Sequence, residues 1–578
     1  MSVMCVLVIP ATSQNLKNKD ETLHRLFEEI TNFERSQNKT GTLYRGQHPV
    51  ELGFDTVRDF EERLENYRQF SNRLDSFDRS ELSPDDLISL ETMELKIDGQ
   101  VDQLAYKSYY IPFNAEGGFY NRLSGAIRRL PFEDQADYEA FLVWLPGYST
   151  YLQAHLELMR QGIKEGVKAP KIIVDNAIDH VRPLVDRANP NHFLKLPFEQ
   201  RKESIPDSAW RELKLRYDQI MADNVWPSYE ALLHFLENEY YPVAYDSPGI
   251  DQIPNGEDYY EARLRYFTTL DLTADEVYER GLNEVQRIRM LMGKVIDEVN
   301  FDGDFASFLE YLRTDSKFYA ATGQELLSYA AWLSKKAEGK LPGLFDHLYE
   351  LPFTVAPVPD DIAPTYTGGR YVPGRREQDR PGTYWVNTYN LPARSLYNLP
   401  ALTLHEAVPG HHLQMMISAE LKDLPSFRNR FYISAFGEGW GLYAEYLGEE
   451  MGMYESPYDY FGRLTYEMWR ACRLVVDVGL HVKGWSREQA IEFLSSNTAL
   501  SMHEVTTEID RYIGWPGQAL SYKVGELKIK ELRKNAEAEL ADKFDIKDFH
   551  YQVLRNGSVP LPTLERIINS WIEEVKKG

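Results

Sequence analysis

Residues 402–416 read LTLHEAVPGHHLQMM. Apolar side chains before His405 and after His412 imply buried helix on both sides, with Pro409 and Gly410 interrupting it. A metal-binding helix normally carries two histidines four residues apart, with a glutamate directly after the first, so that both imidazoles share a face. Here the spacing is six or seven. On an unbroken helix His412 would share the face of His405 but lie about 10 Å further along the axis, which is long for one ion. If Pro409 and Gly410 force a bulge that absorbs two residues, His411 takes the place of the residue four on. A more nearly regular helix would select His412, and the spacing alone leaves that choice open. The competing reading is a proline-glycine turn flanked by ordinary histidines.

A zinc site that hydrolyses a bond needs two neutral imidazoles, a third ligand and an open position for water, with a glutamate to take the water's proton. Glu406 is placed for that last role. The third ligand is sought in FGEGWGLYAEYLGEE, where Glu438 stands among Phe436, Trp440 and Leu442, a costly place for a carboxylate without a cation. Glu445, seven residues on, shares its face and is a candidate to orient a histidine. Further along, MHEVTTEIDRYIGWPGQALSYKVGE brings His503, Arg511, Tyr512, Gln518 and Tyr522 together. Tyrosine and histidine can donate to a developing oxyanion, and Arg511 can hold a substrate carboxylate bidentately. In RACRLVVDVGLHVKGW, Arg470, Arg473, Asp477 and His481 recur at helical spacing, read as a buried ion-pair network supporting the site.

Working outward, the chain reads as helix after helix. VRDFEERLENYRQFSNRL carries one apolar stripe; LSPDDLISLETMELKIDGQVDQL opens with Ser83 as cap and Pro84 in the first turn; Thr273 with Glu276, and Ser486 with Gln489, form capping boxes. One segment differs. Ten of the thirty prolines fall between residues 341 and 410, which excludes a continuous helix there, and within it TYWVNTYNL reads as a strand leading to the histidines. Beside it, Arg370, Arg375, Arg376 and Arg380 read as a solvated loop or as a rim that steers an acidic peptide, with the strand at Tyr384–Tyr389 pairing with the peptide backbone. The expected fold is therefore mostly α-helical with a small sheet beside the metal helix. No linker or repeat divides the chain, so residues 21–578 are expected to form one large two-lobed unit, with 1–20 a tail or signal remnant.

Bulk properties set further limits. Of 578 residues 43% are hydrophobic, enough for a large core, and the net charge is −25, which argues against nucleic acid and anionic membranes as partners. The two cysteines, Cys5 and Cys472, offer no thiolate metal site. MSVMCVLVIPATSQ has the apolar run of a secretory signal without its basic start. No later stretch is long and apolar enough for a membrane span.

Taken together, HEAVPGHHLQ, EGWGLYAE, GLHVKGWSREQAI and RYIGWPGQALSY resemble the bacterial domain-of-unknown-function 885 family, over nearly all the chain after residue 20. Its members are often described as lipoproteins or zinc peptidases. More distantly, the pattern is similar to the helical zinc peptidases of the angiotensin-converting and thimet oligopeptidase type. That resemblance implies a zincin-like fold with a deep cleft between two lobes. It also implies Zn2+ on His405, His411 and Glu438, Glu406 as base, and His503 and Tyr512 on the oxyanion; Arg511, Gln518 and Tyr522 are expected to bind a short peptide. The lipoprotein description leans toward an extracytoplasmic location. The two extra residues in the zinc motif are the departure from the pattern.

Overall fold

The computed structural model describes residues 20–39, 52–130, 132–190, 192–360, 362–422 and 424–577. The apolar stretch at residues 3–10 and the tail ending at residue 20 therefore lie almost wholly outside them. The fold is mostly α-helical with small sheets. The expected starts are where the caps put them. Thr56 and Asp59 close a capping box on Val57–Asp75, Ser83 caps Pro84–Ala105, Thr273 and Glu276 open Ala274–Glu298, and Ser486 with Gln489 opens Arg487–Asn497. Each cap satisfies amides that the first helical turn leaves without partners.

Pro457–His481 is buried along nearly its whole circumference, the pattern of a helix at the centre of a core. Ala274–Glu298 and Leu520–Leu540 pack along it, and Leu520–Leu540 in turn crosses Ser434–Glu450. That last crossing is close because two glycines meet: a Cβ at Gly439 would stand 2.6 Å from the Gly525 backbone. One continuous apolar core runs from Leu52 to Ile572. A second, smaller core lies between Glu21–Ser36, Val57–Asp75 and Pro84–Ala105, and Phe427, from the loop after the histidine segment, is inserted into it.

The proline-rich segment forms a three-stranded sheet in which Gly382–Val386 is central, parallel to Phe353–Pro357 and antiparallel to Gly369–Val372. This corrects one expectation. The TYWV strand is flanked on both sides, so it cannot take up a peptide by edge pairing. The edge beside the histidines is Gly369–Val372.

Candidate metal centre

The histidine segment does not bulge; it breaks. Leu399–Glu406 ends as a helix at Glu406, residues 407–410 turn, and a new helix, His411–Glu420, begins on His411. Gly410 makes the break possible, since a Cβ there would lie 2.0 Å from the His405 carbonyl oxygen. Trp440 Nε1 donates to the Pro409 carbonyl at 2.8 Å and pins the turn from the neighbouring helix.

This break decides between the two histidines. His411 Nε2 and His405 Nε2 each lie 3.4 Å from Glu438 Oε2, and one ligand atom from each of the three residues falls within 4.8 Å of the others. In a tetrahedral zinc site with bonds of about 2.0–2.1 Å, neighbouring ligand atoms are about 3.3–3.4 Å apart. The donor set fits that ion. His412 points away: its Nδ1 meets the Tyr371 hydroxyl at 2.8 Å, and its ring packs against Tyr349 and Phe353. Burial there pushes the imidazole down to about 3, so it is neutral and enclosed.

Glu438 and Glu445 lie seven apart on Ser434–Glu450, two turns along one face. Glu445 Oε1 accepts from His405 Nδ1 at 2.8 Å, which fixes the tautomer and frees Nε2 for a metal. Between them, one turn after Glu438, Gly441 makes room for the ring; a Cβ there would stand 2.6 Å from His405 Cε1. Burial opposes a charge on His405, but the hydrogen bonds to Glu438 and Glu445 outweigh it and hold the imidazole up at about 10. Burial likewise would raise the Glu438 carboxyl, yet His411 and His405 hold it well below the usual range. Such a field favours a cation among these carboxylates, whether a proton or a metal ion.

Glu406 follows His405 directly and lines the same cavity, of about 590 Å³. Its Oε2 accepts from the Tyr371 amide at 2.8 Å, so the edge strand orients it. Arg511, Gln518 and Tyr522 line this cavity as expected, and the Tyr522 ring lies parallel to His405 at 6.4 Å.

Two expected residues are placed elsewhere. His503 is exposed on the first turn of Met502–Gly514 and does not line the cavity. Tyr512 is buried in the wall behind it, where its hydroxyl accepts from Trp469 Nε1 at 2.8 Å and Arg473 Nε at 2.9 Å. One helical turn aims Arg511 into the cavity, and the residue after it necessarily faces elsewhere. Neither residue lines the cavity beside His405, His411 and Glu438, so the oxyanion role expected of them has no support in the geometry. Of the four rim arginines Arg370 alone lines this cavity; Arg375 and Arg376 line a separate one, Arg376 paired with Glu350.

The supporting network is present. Arg473 pairs with Glu508 at 2.9 Å, Arg470 approaches Glu445 at 3.7 Å, Asp477 accepts from Tyr260 and the Gly517 amide, and His481 bridges Ile250 N and Tyr512 O. Two contributors had not been anticipated: Tyr432, whose hydroxyl donates to Glu438 Oε1 at 3.0 Å, and Glu116, 3.2 Å from Arg511 Nε.

The profile of the DUF885 family, bacterial proteins of unknown function, matches residues 50–568. The chain belongs to that family. A "putative lipoprotein" from Colwellia psychrerythraea has a crystal structure similar to this one, with 26% identity and a TM-score of 0.83, covering 96% of this chain and 99% of that one. A second, a "putative lipoprotein of unknown function" from Shewanella oneidensis, shares the fold at 18% identity and a TM-score of 0.74, covering 95% of this chain and all of the other. Among curated proteins none matches. The DUF885 chain has, among its described residues, no helix long and apolar enough to cross a membrane.

Proposed function

We propose that this DUF885 protein is a zinc-dependent hydrolase, a metallopeptidase that cleaves short peptides in its cleft. The observation that carries the reading is the convergence of His405, His411 and Glu438 on one point, with Glu406 beside it and a cavity in front. With His412 turned into an aromatic pocket, three protein ligands remain among the described residues, which is the number that leaves a catalytic position open.

A zinc ion held there would polarise a scissile carbonyl and lower the pKa of water. The chain's own groups do the rest. Glu406, fixed through Oε2 by the Tyr371 amide, takes a proton from the attacking water on Oε1 and returns it to the leaving nitrogen. Tyr522, which lines the cavity with its ring 6.4 Å from that of His405, would donate to the developing oxyanion in this reading. Glu445 keeps His405 oriented throughout. The relatives' description as lipoproteins is compatible with an extracytoplasmic location for this activity.

The test is a zinc titration together with incubation of a mixed peptide library, products read by mass spectrometry. Glu406→Gln is expected to keep the metal and to lower turnover by about 10²–10⁴-fold. Undiminished turnover by that variant would remove Glu406 from the mechanism. A zinc-loaded wild type that cleaves no peptide in the library would point to a non-peptide amide as substrate, or to a binding protein with the same site.

A further inference from the structure

Three arginines, each paired with a glutamate, line one part of the cavity in a chain whose net charge is −25. Arg470, Arg473 and Arg511 line it together, and Arg473 Cζ lies over the Tyr522 ring at 4.1 Å, while that ring in turn lies parallel to His405. One carboxylate, Glu508, is shared between Arg473 at 2.9 Å and Arg511 at 3.4 Å. Arg470 and Arg473 lie over the Trp469 ring at 4.1 and 4.6 Å and pair with buried glutamates, so of the three Arg511 is the one with an exposed partner.

Arg511 has three partners of unequal permanence. Glu508 is on its own helix, and Gln518, whose Oε1 accepts from Nη2 at 2.7 Å, lies just beyond the helix end; both are buried. Glu116 is different. It lies in the turn of a two-residue ladder, Phe113–Asn114 against Gly117–Gly118, and its side chain is 41% exposed. Glu116 and Trp515 also line an adjoining groove of about 650 Å³ as well as the metal cavity, so this ion pair stands where the two spaces join. Arg511 is buried but Glu116 is open to solvent, so of the three partners Glu116 is the acceptor that can leave into water and be exchanged for a ligand.

We infer that Arg511 is a carboxylate-binding residue of the cleft, that Glu116 holds the place of a substrate carboxylate, and that the substrate therefore carries one, at its C-terminus or on an acidic side chain. The inference rests on the peptidase reading for the identity of the ligand as a peptide. Gln518 and the guanidinium fork stay in place, and the incoming carboxylate displaces Glu116 toward the adjoining groove. Glu116 would thus act as a specificity filter: neutral peptides leave it paired, and carboxylate-bearing ones exchange with it.

Binding tests this without requiring turnover. Zinc-loaded, full-length Glu406→Gln is titrated with trialanine as the free acid, with trialanine amide, and with the amide of Ala-Glu-Ala, following the fluorescence of the protein or the heat released. The free acid, the Glu-containing amide, or both are expected to bind about tenfold more tightly than trialanine amide, and which of them does so identifies the source of the carboxylate. Adding Glu116→Gln is expected to strengthen that binding several-fold further, and adding Arg511→Gln to abolish the preference. Equal affinities for all three peptides, no binding by any, or a preference that survives Arg511→Gln would each overturn the inference. Preferred binding of carboxylates combined with no cleavage by the wild type would leave the inference standing and sink the peptidase reading instead.

Discussion

Gly441 shows how narrow the tolerances at this site are. Its missing side chain is the space that the His405 ring fills, so Gly441→Ala must push either the imidazole or the Ser434–Glu450 helix by about an ångström. The expected result is a folded protein with at least tenfold weaker zinc affinity, read by competition with a chelator and by circular dichroism. Glu445→Gln is expected to cost about 10–100-fold in the same assay, because the amide oxygen is a weaker partner for His405 Nδ1. Much of this scale was legible in the letters. His405, Glu406 and Glu438 follow from residue type and setting, and Glu445 from a spacing of seven. Tyr371 was not legible, since its backbone amide does the work and an amide carries no side-chain signature. Tyr432 precedes its helix and Glu116 lies in a distant turn, so no periodicity linked either one to the site. Tyr512 misled because a tyrosine beside Arg511 looks like a pair aimed together, whereas neighbours on a helix diverge by about 100°.

At the scale of elements, four helices are joined by charges buried where they meet. Lys523 Nζ contacts Glu467 at 2.8 Å, Glu284 at 3.0 Å and Glu526 at 2.5 Å, and Arg463 contacts Glu467 at 2.9 Å and Glu449 at 3.2 Å. These residues come from Ala274–Glu298, Ser434–Glu450, Pro457–His481 and Leu520–Leu540. Replacing Lys523 would leave Glu284, Glu467 and Glu526 to share Arg287, Arg463 and Lys530. Lys523→Met is therefore expected to lower the unfolding free energy by about 3–5 kcal/mol in urea denaturation. The helices themselves were predictable from stripes and caps, because those signals are local. The order of the three strands was not: pairing depends on contacts far apart in sequence, and an aromatic, β-branched run such as TYWV fits a central strand or an edge equally well. The bulge expected at Pro409 became a full helix break for a similar reason, since the length of an interruption is set by what packs against it, here Trp440.

The whole molecule has a pH dependence built from neutral buried histidines. His481 and His550 each accept through one ring nitrogen and donate through the other, to Tyr512 O and Leu344 O respectively. Burial pushes them down to about 4 and about 3. Their unfolded value is about 6.5, so between these limits the unfolded chain binds the extra protons and stability falls as pH drops. At pH 5 the loss should be on the order of 2 kcal/mol for each, seen as a lower urea midpoint than at pH 7.5. Asp477, raised by burial to about 7, runs the other way: its contribution is complete below about pH 4 and is lost as the pH rises through 7. An Asp477→Asn variant is expected to steepen the fall in stability between pH 7 and pH 4, where Asp477 opposes the histidines, and to leave the slope above pH 8 unchanged.

Phe427 gives the molecule a timetable. Its ring closes the core of the first three helices, 5.2 Å from Phe27, and Arg428 beside it donates to Ser89. A ribosome making about 5–20 residues per second reaches Phe427 roughly 15–65 s after finishing Pro84–Ala105. Until then the core of the first three helices lacks the ring that closes it. That ring comes on the loop that joins His411–Glu420 to Ser434–Glu450, so the loop that closes the amino-terminal core also leads into the helix that carries Glu438.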